Sequence, residues 1–66
     1  MTNGTLLRAR NGSIKPFIII DNVIISRHLV DHMVEIYGYK VARCDRMNHP
    51  FIVDKEDFFA RFEVLA

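Results

Sequence analysis

Apolar and polar positions first alternate and then change period along this 66-residue chain. Between Thr5 and Arg10, Leu7 and Ala9 alternate with Arg8 and Arg10, the period of a strand with one wet face. Asn11-Gly12 follows, a pair suited to a two-residue hairpin turn because both central residues of a type I′ turn need positive φ. The second arm of the predicted hairpin runs from Ser13 to Ile20. Pro16 cannot donate a ladder hydrogen bond, which predicts an edge strand or a bulge there.

The segment Phe17-Ile18-Ile19-Ile20-Asp21-Asn22-Val23-Ile24-Ile25 is too apolar to alternate. A non-alternating strand is usually covered on both faces, so the segment predicts either a second covering layer or an exposed patch. From Ser26 to Gly38 the period shifts. Leu29, Val30, Met33, Val34 and Tyr37 share one helical face, and Arg27, His28, Asp31, His32 and Glu35 share the other. The spacing predicts a helix over 26–38, with Ser26 as N-cap and Gly38 in the left-handed residue after its end. Val23-Ile24-Ile25, being β-branched, is read as strand or connection rather than as an earlier first turn.

Tyr39 to Cys44 reads as a strand, 45–50 as a turn, and Phe51-Ile52-Val53 as a short strand. Asp54 is placed to cap a second helix with Asp57 in its first turn, and Phe58, Phe59, Phe62 and Leu65 fall on one helical face. The expected fold is α+β: a single domain over residues 1–66, a two-layer ββαββα arrangement with a mostly antiparallel sheet and helices on one face. The competing expectation is a small SH3-like β-barrel, in which Phe51–Val53 and Glu63–Leu65 are strands joined by one short turn of helix.

Size changes how these elements must be stabilised. A chain this short buries only about 60% of the surface its unfolded form exposes. Cys44 is the only cysteine, so no intrachain disulfide can form, and a lone thiol suits a reducing compartment. Half the residues are hydrophobic, which predicts a folded rather than a disordered chain. No apolar run reaches the roughly 18–20 residues of a membrane helix, and no charged segment followed by an apolar stretch opens the chain. The expectation is a cytoplasmic protein with no membrane partner.

Charge narrows the function classes. Nine basic residues against eight acidic give a net +1, which excludes a strongly acidic mimic of DNA. Arg8, Arg10 and Lys15 cluster early, and Lys40, Arg43 and Arg46 cluster mid-chain, while 54–63 leans acidic. If both basic clusters shared a sheet face they would bind nucleic-acid phosphates, with Tyr37 and Tyr39 available to stack on bases. No zinc-finger, helix-turn-helix or RNP pattern accompanies them.

Metal and catalytic chemistry are weakly signalled. His28 and His32 at i and i+4 on the expected helix, with Cys44 and His49 flanking a turn, would make a three-nitrogen, one-sulfur set. Structural zinc sites usually use more cysteines, and the bland reading of solvated histidines is preferred, so no metal is assigned. Cys44 with a histidine and Asp31 lacks a strained nucleophile turn, and Glu56-Asp57 suits a helix start better than acid–base catalysis. No cofactor and no enzymatic activity are expected. The leading reading is a small regulator or inhibitor, of the size and style of phage and mobile-element proteins, that binds another protein and forms a homodimer. Its contact residues are Phe17, Ile18, Ile19, Ile24 and Ile25. The alternative is a nucleic-acid-binding regulator using Arg8, Arg10, Lys15, Lys40, Arg43 and Arg46.

Overall fold

A computed structural model describes residues 1–65 and shows a five-stranded antiparallel sheet with one short helix. The elements are β1 (Leu6–Ala9), β2 (Phe17–His28), β3 (Met33–Arg43), β4 (Phe51–Asp54), α1 (Lys55–Arg61) and β5 (Phe62–Val64), and the strand order is β4-β3-β2-β1-β5. This corrects the two-layer ββαββα expectation. The predicted helix over 26–38 is absent, and those residues form the end of β2, a bend and most of β3. The order strand, one short helix, strand over 51–64 agrees with the SH3-like alternative.

The reason lies in hairpin pairing with the preceding strand. From Asp21–Lys40 to His28–Met33, β2 and β3 form an unbroken antiparallel ladder. Val34, Ile36, Tyr37, Tyr39 and Val41 are residue types that fit a pleated surface, and the ladder satisfies every second backbone group across the pair. Ser26 therefore stands opposite Glu35 instead of capping a helix. Gly38 stands in β3 between Val23 and Asp54 instead of ending a helix, and its φ is not positive. The chain reverses at Val30-Asp31, where Leu29 N–H donates to the His32 carbonyl at 2.8 Å and neither residue takes positive φ. Such a turn has no Asn-Gly signature, so nothing in the local sequence marks it.

Replacing Val30-Asp31 by Asn-Gly should tighten this tip, since primed turns match the twist of the flanking strands. The expected result is exchange of the Arg27 and Val34 amides slowed about two- to fivefold. Unchanged or faster exchange would show that the tip is not set by turn twist.

Asn11-Gly12 has the signature and is used differently. Gly12 takes φ +90, yet β1 pairs with β2 only at Leu6–Ile18 and Leu7–Phe17. Pairing with β2 stops at Leu7, so the connection widens into a long loop, while along its other edge β1 pairs with β5 at Leu7–Val64, Arg8–Glu63 and Ala9–Phe62. Pro16 lies in that loop, where its carbonyl accepts from Cys44 N–H at 2.9 Å. Up to Ile19, β2 is an inner strand, contrary to the expected edge; the bulge falls between Ile19 and Asp21. That extra residue resets the phase of the strand and accounts for the missing alternation in 17–25.

One face of the sheet carries the core: Leu7, Ala9, Ile19, Tyr39, Val41 and Val53, closed by Phe58 and Phe62, with Phe17 and Phe51 packed on it. The α1 expectation from Asp54 holds in position. Asp54 sits at the N-cap in an extended conformation, although its side chain makes no cap hydrogen bond. Phe58 is the one α1 side chain buried in this core, and Phe62 opens β5 rather than a further turn.

Candidate docking arm

Beyond the body, β2 and β3 continue as a two-stranded arm over residues 23–37. The neighbours stop short: β1 reaches Ile18, β4 reaches Gly38, and a strap at the N-terminus ends where Asn22 Nδ2 bonds the Met1 carbonyl and Asn3 Oδ1. On the face shared with Tyr39 lie Ile24 opposite Tyr37, Ser26 opposite Glu35, and His28 opposite Met33. On the other lie Val23 over Gly38, Ile25 opposite Ile36, and Arg27 opposite Val34. The second face is largely apolar, and the first is apolar at Ile24, Tyr37 and Met33 and polar at Ser26, Glu35 and His28. Ile24 is 60%, Met33 63%, Tyr37 56% and Val30 fully exposed.

Physical chemistry makes this arm unusual. A lone two-stranded ribbon is marginally stable in water, and contiguous exposed apolar surface marks association sites. Open clefts flank Tyr37. One of about 380 Å³ is lined by Met1, Ile24, Tyr39 and Lys55. The other, of about 270 Å³, lies between Val34–Ile36 and Lys55-Glu56 of α1.

The five contact residues expected from sequence do not stay together. Ile19 is buried in the core and Phe17 packs against it, edge-on to Phe51 and Phe62 with ring centroids 6.1 and 5.1 Å away. Ile18 is half-buried on the opposite sheet face, Ile25 half-buried on the arm, and Ile24 exposed on the arm. Val30, Met33 and Tyr37, which helical spacing places on the apolar face of the expected helix, are among the most exposed large apolar side chains. For Tyr37 the signal is the strand-type residue content of 34–41, and nothing in the local sequence marks Val30 or Met33 as exposed.

The six cations are partly spoken for. Arg8 and Arg10 both face Glu63, and Arg10 Nε also donates to the Phe59 carbonyl at 2.8 Å. Arg43 Nε donates to Asp45 at 2.5 Å, which together with Lys15 lowers the Asp45 pKa from its usual value. Lys40 stands between Asp21 and Ile52 on the sheet, and Arg46 lies in the turn after β3. The arm itself offers Arg27 against Asp31 and Glu35.

The candidate set of His28 and His32 with Cys44 and His49 is likewise dispersed. His28 and His32 flank the arm tip, with His32 Nδ1 2.5 Å from Asp31 Oδ1, whereas Cys44 and His49 lie past the other end of β3. Eleven residues of strand separate the two pairs, on the order of 30 Å of extended chain. No group of three metal-ligating side chains gathers among the described residues. A third cleft of about 350 Å³, unmarked in the sequence, is lined by Phe17, Phe51 and Phe62, with the Arg61 guanidinium 5.7 Å from both Phe51 and Phe62 ring centroids.

No helix among the described residues is long and apolar enough to cross a membrane. No protein-family model, curated protein or solved structure matches the chain.

Proposed function

We propose that this chain is a small non-enzymatic regulator or inhibitor that acts by docking on another protein, and that it also self-associates as a homodimer. The observation that carries this reading is the projecting β2–β3 arm with Ile24, Val30, Met33 and Tyr37 uncovered. The titratable groups that catalysis would need lie apart: histidines at the arm tip, Cys44 and His49 beyond β3, carboxylates at the start of α1. The nucleic-acid reading loses support where Glu63 and Asp45 engage Arg8, Arg10 and Arg43.

The test places a photo-crosslinking residue at Val30 or Met33, with Asn11 in the β1–β2 loop as the control position. The arm positions should capture one protein, and the Ile24→Ser/Tyr37→Ser pair should abolish that capture. Equal capture from Asn11 would sink the arm as the docking element. Retention on heparin or DNA that collapses as salt rises would instead support the nucleic-acid alternative.

A further inference from the structure

The uncovered edge of the arm has a pattern that identifies an occupant. Leu29 N–H points across the hairpin to the carbonyl of His32, the residue before β3. In an antiparallel ladder the direction alternates, so the backbone groups of Arg27, Ile25 and Val23 also face β3. Those of Ile24, Ser26 and His28 point away from it, toward an edge with no neighbouring strand among the described residues. Asn22, one step earlier, has its N–H satisfied locally by Asp21 Oδ1 at 2.9 Å. A row of outward donors and acceptors on an apolar strand is a template for another strand.

The two edges of the arm are not equivalent. The β3 edge shares its cleft with Lys55 and Glu56 of α1 and carries Glu35 at its middle, so pairing with its own copy about that point would oppose two carboxylates. The β2 edge carries no acid between Asn22 and His28. Arg27 makes no ion pair among the described residues.

We infer that the partner at this edge is a second copy of the chain, its β2 running antiparallel to the first about a two-fold axis at Ile25. This deepens the self-association reading of the preceding subsection and rests on it. About that axis Ile24 exchanges both backbone hydrogen bonds with Ser26 of the second copy, and Ser26 with its Ile24. All of these are outward-pointing groups, which is the pairing that an antiparallel ladder requires. Ile25 meets Ile25 as a close, non-hydrogen-bonded pair. Val23 lies opposite Arg27, and Asp21 of the second copy falls diagonally beside Arg27 on the same sheet face, within reach of the long guanidinium side chain. Moving the axis one residue to Ser26 keeps the hydrogen bonds but sets the two Arg27 side chains diagonally beside each other and carries Asp21 past the end of the second copy's β2. Charge therefore selects the register at Ile25. The two arms become the centre of a four-stranded sheet, β3-β2-β2-β3, which removes the exposed edge of each β2.

Disulfide trapping reads the register directly. In a Cys44→Ser background, Ile25→Cys should cross-link between copies under mild oxidation at least tenfold faster than Ser26→Cys or Val30→Cys, since only a directly opposed, non-hydrogen-bonded pair brings the β-carbons close. Faster trapping at Ser26→Cys would overturn the register. In sedimentation equilibrium, Arg27→Asp and Asp21→Arg should each weaken the dimer about five- to tenfold, with the double exchange restoring it. Additive losses would overturn the Arg27–Asp21 contact. A strict monomer at high micromolar concentration, with a circular dichroism spectrum of a folded sheet, would overturn the dimer. Specific capture by the arm positions would then still stand as a separate result, so the two readings fail independently.

Discussion

Truncating Phe58 to alanine should leave the chain without a cooperative folding transition at 25 °C. Phe58 is the one α1 side chain fully inside the core, with its ring centroid 4.7 Å from Tyr39 and 5.7 Å from Phe62. It ties the helix to two separate parts of the sheet, since Tyr39 belongs to the inner strand β3 and Phe62 to the edge strand β5. A buried Phe→Ala change costs about 3–5 kcal/mol in transfer and cavity terms. A single core of this size rarely supplies more than about 3–5 kcal/mol in total. The loss therefore matches the whole margin. Near-UV circular dichroism follows it through Tyr39, whose fixed environment should disappear. Phe59→Ala is the control: its ring is 54% exposed, and the expected loss is at most about 1 kcal/mol. A Phe58→Ala variant that still melts cooperatively within a few degrees of the parent would show that α1 is not the lid of the core.

Substituting Gly38 gives the second large effect. A β-carbon there would lie 2.7 Å from the Val53 carbonyl oxygen and 3.4 Å from its carbon, both backbone atoms of β4. Gly38 and Asp54 are cross-strand partners, and β4 has only four residues with which to hold its place. Reducing the freedom of the unfolded chain by Gly→Ala favours folding by about 0.4–1 kcal/mol. Overpacking against a backbone that cannot rotate away costs about 1–3 kcal/mol, so the net sign is destabilising. Gly38→Val should be worse than Gly38→Ala in urea midpoint, and amide protection in Phe51–Asp54 should fall before that in β2. A Gly38→Ala variant as stable as the parent would show that β4 yields freely at this point. The same glycine separates the arm from the body: on its β2 side it lies under Val23, the first arm residue beyond the strap.

The lesson of these two residues concerns what kind of information a sequence carries. Phe58, Phe59 and the Asp54 cap position are local features, and the helix they mark starts where they place it, although it ends at Arg61, before the Phe62 and Leu65 that the spacing also assigned to it. The alternation of Leu7 and Ala9 with Arg8 and Arg10 is also local, and it correctly places two side chains inside and two outside. The identity of 26–38 is not local. Its apolar residues fit a helical face at i, i+3 and i+4, and its β-branched and aromatic content fits a strand. The outcome depends on Val23–His28 pairing with Met33–Gly38 across the Val30-Asp31 reversal, which no turn signature in the sequence marks. Turn chemistry misled in both directions. Asn11-Gly12 signals a tight hairpin but serves a wide loop, because β1 and β2 pair only at Leu6–Ile18 and Leu7–Phe17, well before the turn. Val30-Asp31 signals nothing and makes the actual reversal.

The apolar segment 17–25 follows the same division. By itself the sequence determined that this stretch exceeds what one wet-faced strand can bury, that no disulfide compensates, and that the chain has enough apolar content to fold. It also determined that charge alone selects no partner. Tertiary structure decided how the excess is shared. The bulge between Ile19 and Asp21 resets the strand, Phe17 and Ile19 go to the core, and Ile24 and Ile25 go to an arm beyond the reach of β1 and β4. The physical reason is that strand periodicity sets only which residues share a face. Where neighbouring strands stop sets which faces and edges remain uncovered, and that depends on pairings between residues far apart in the chain.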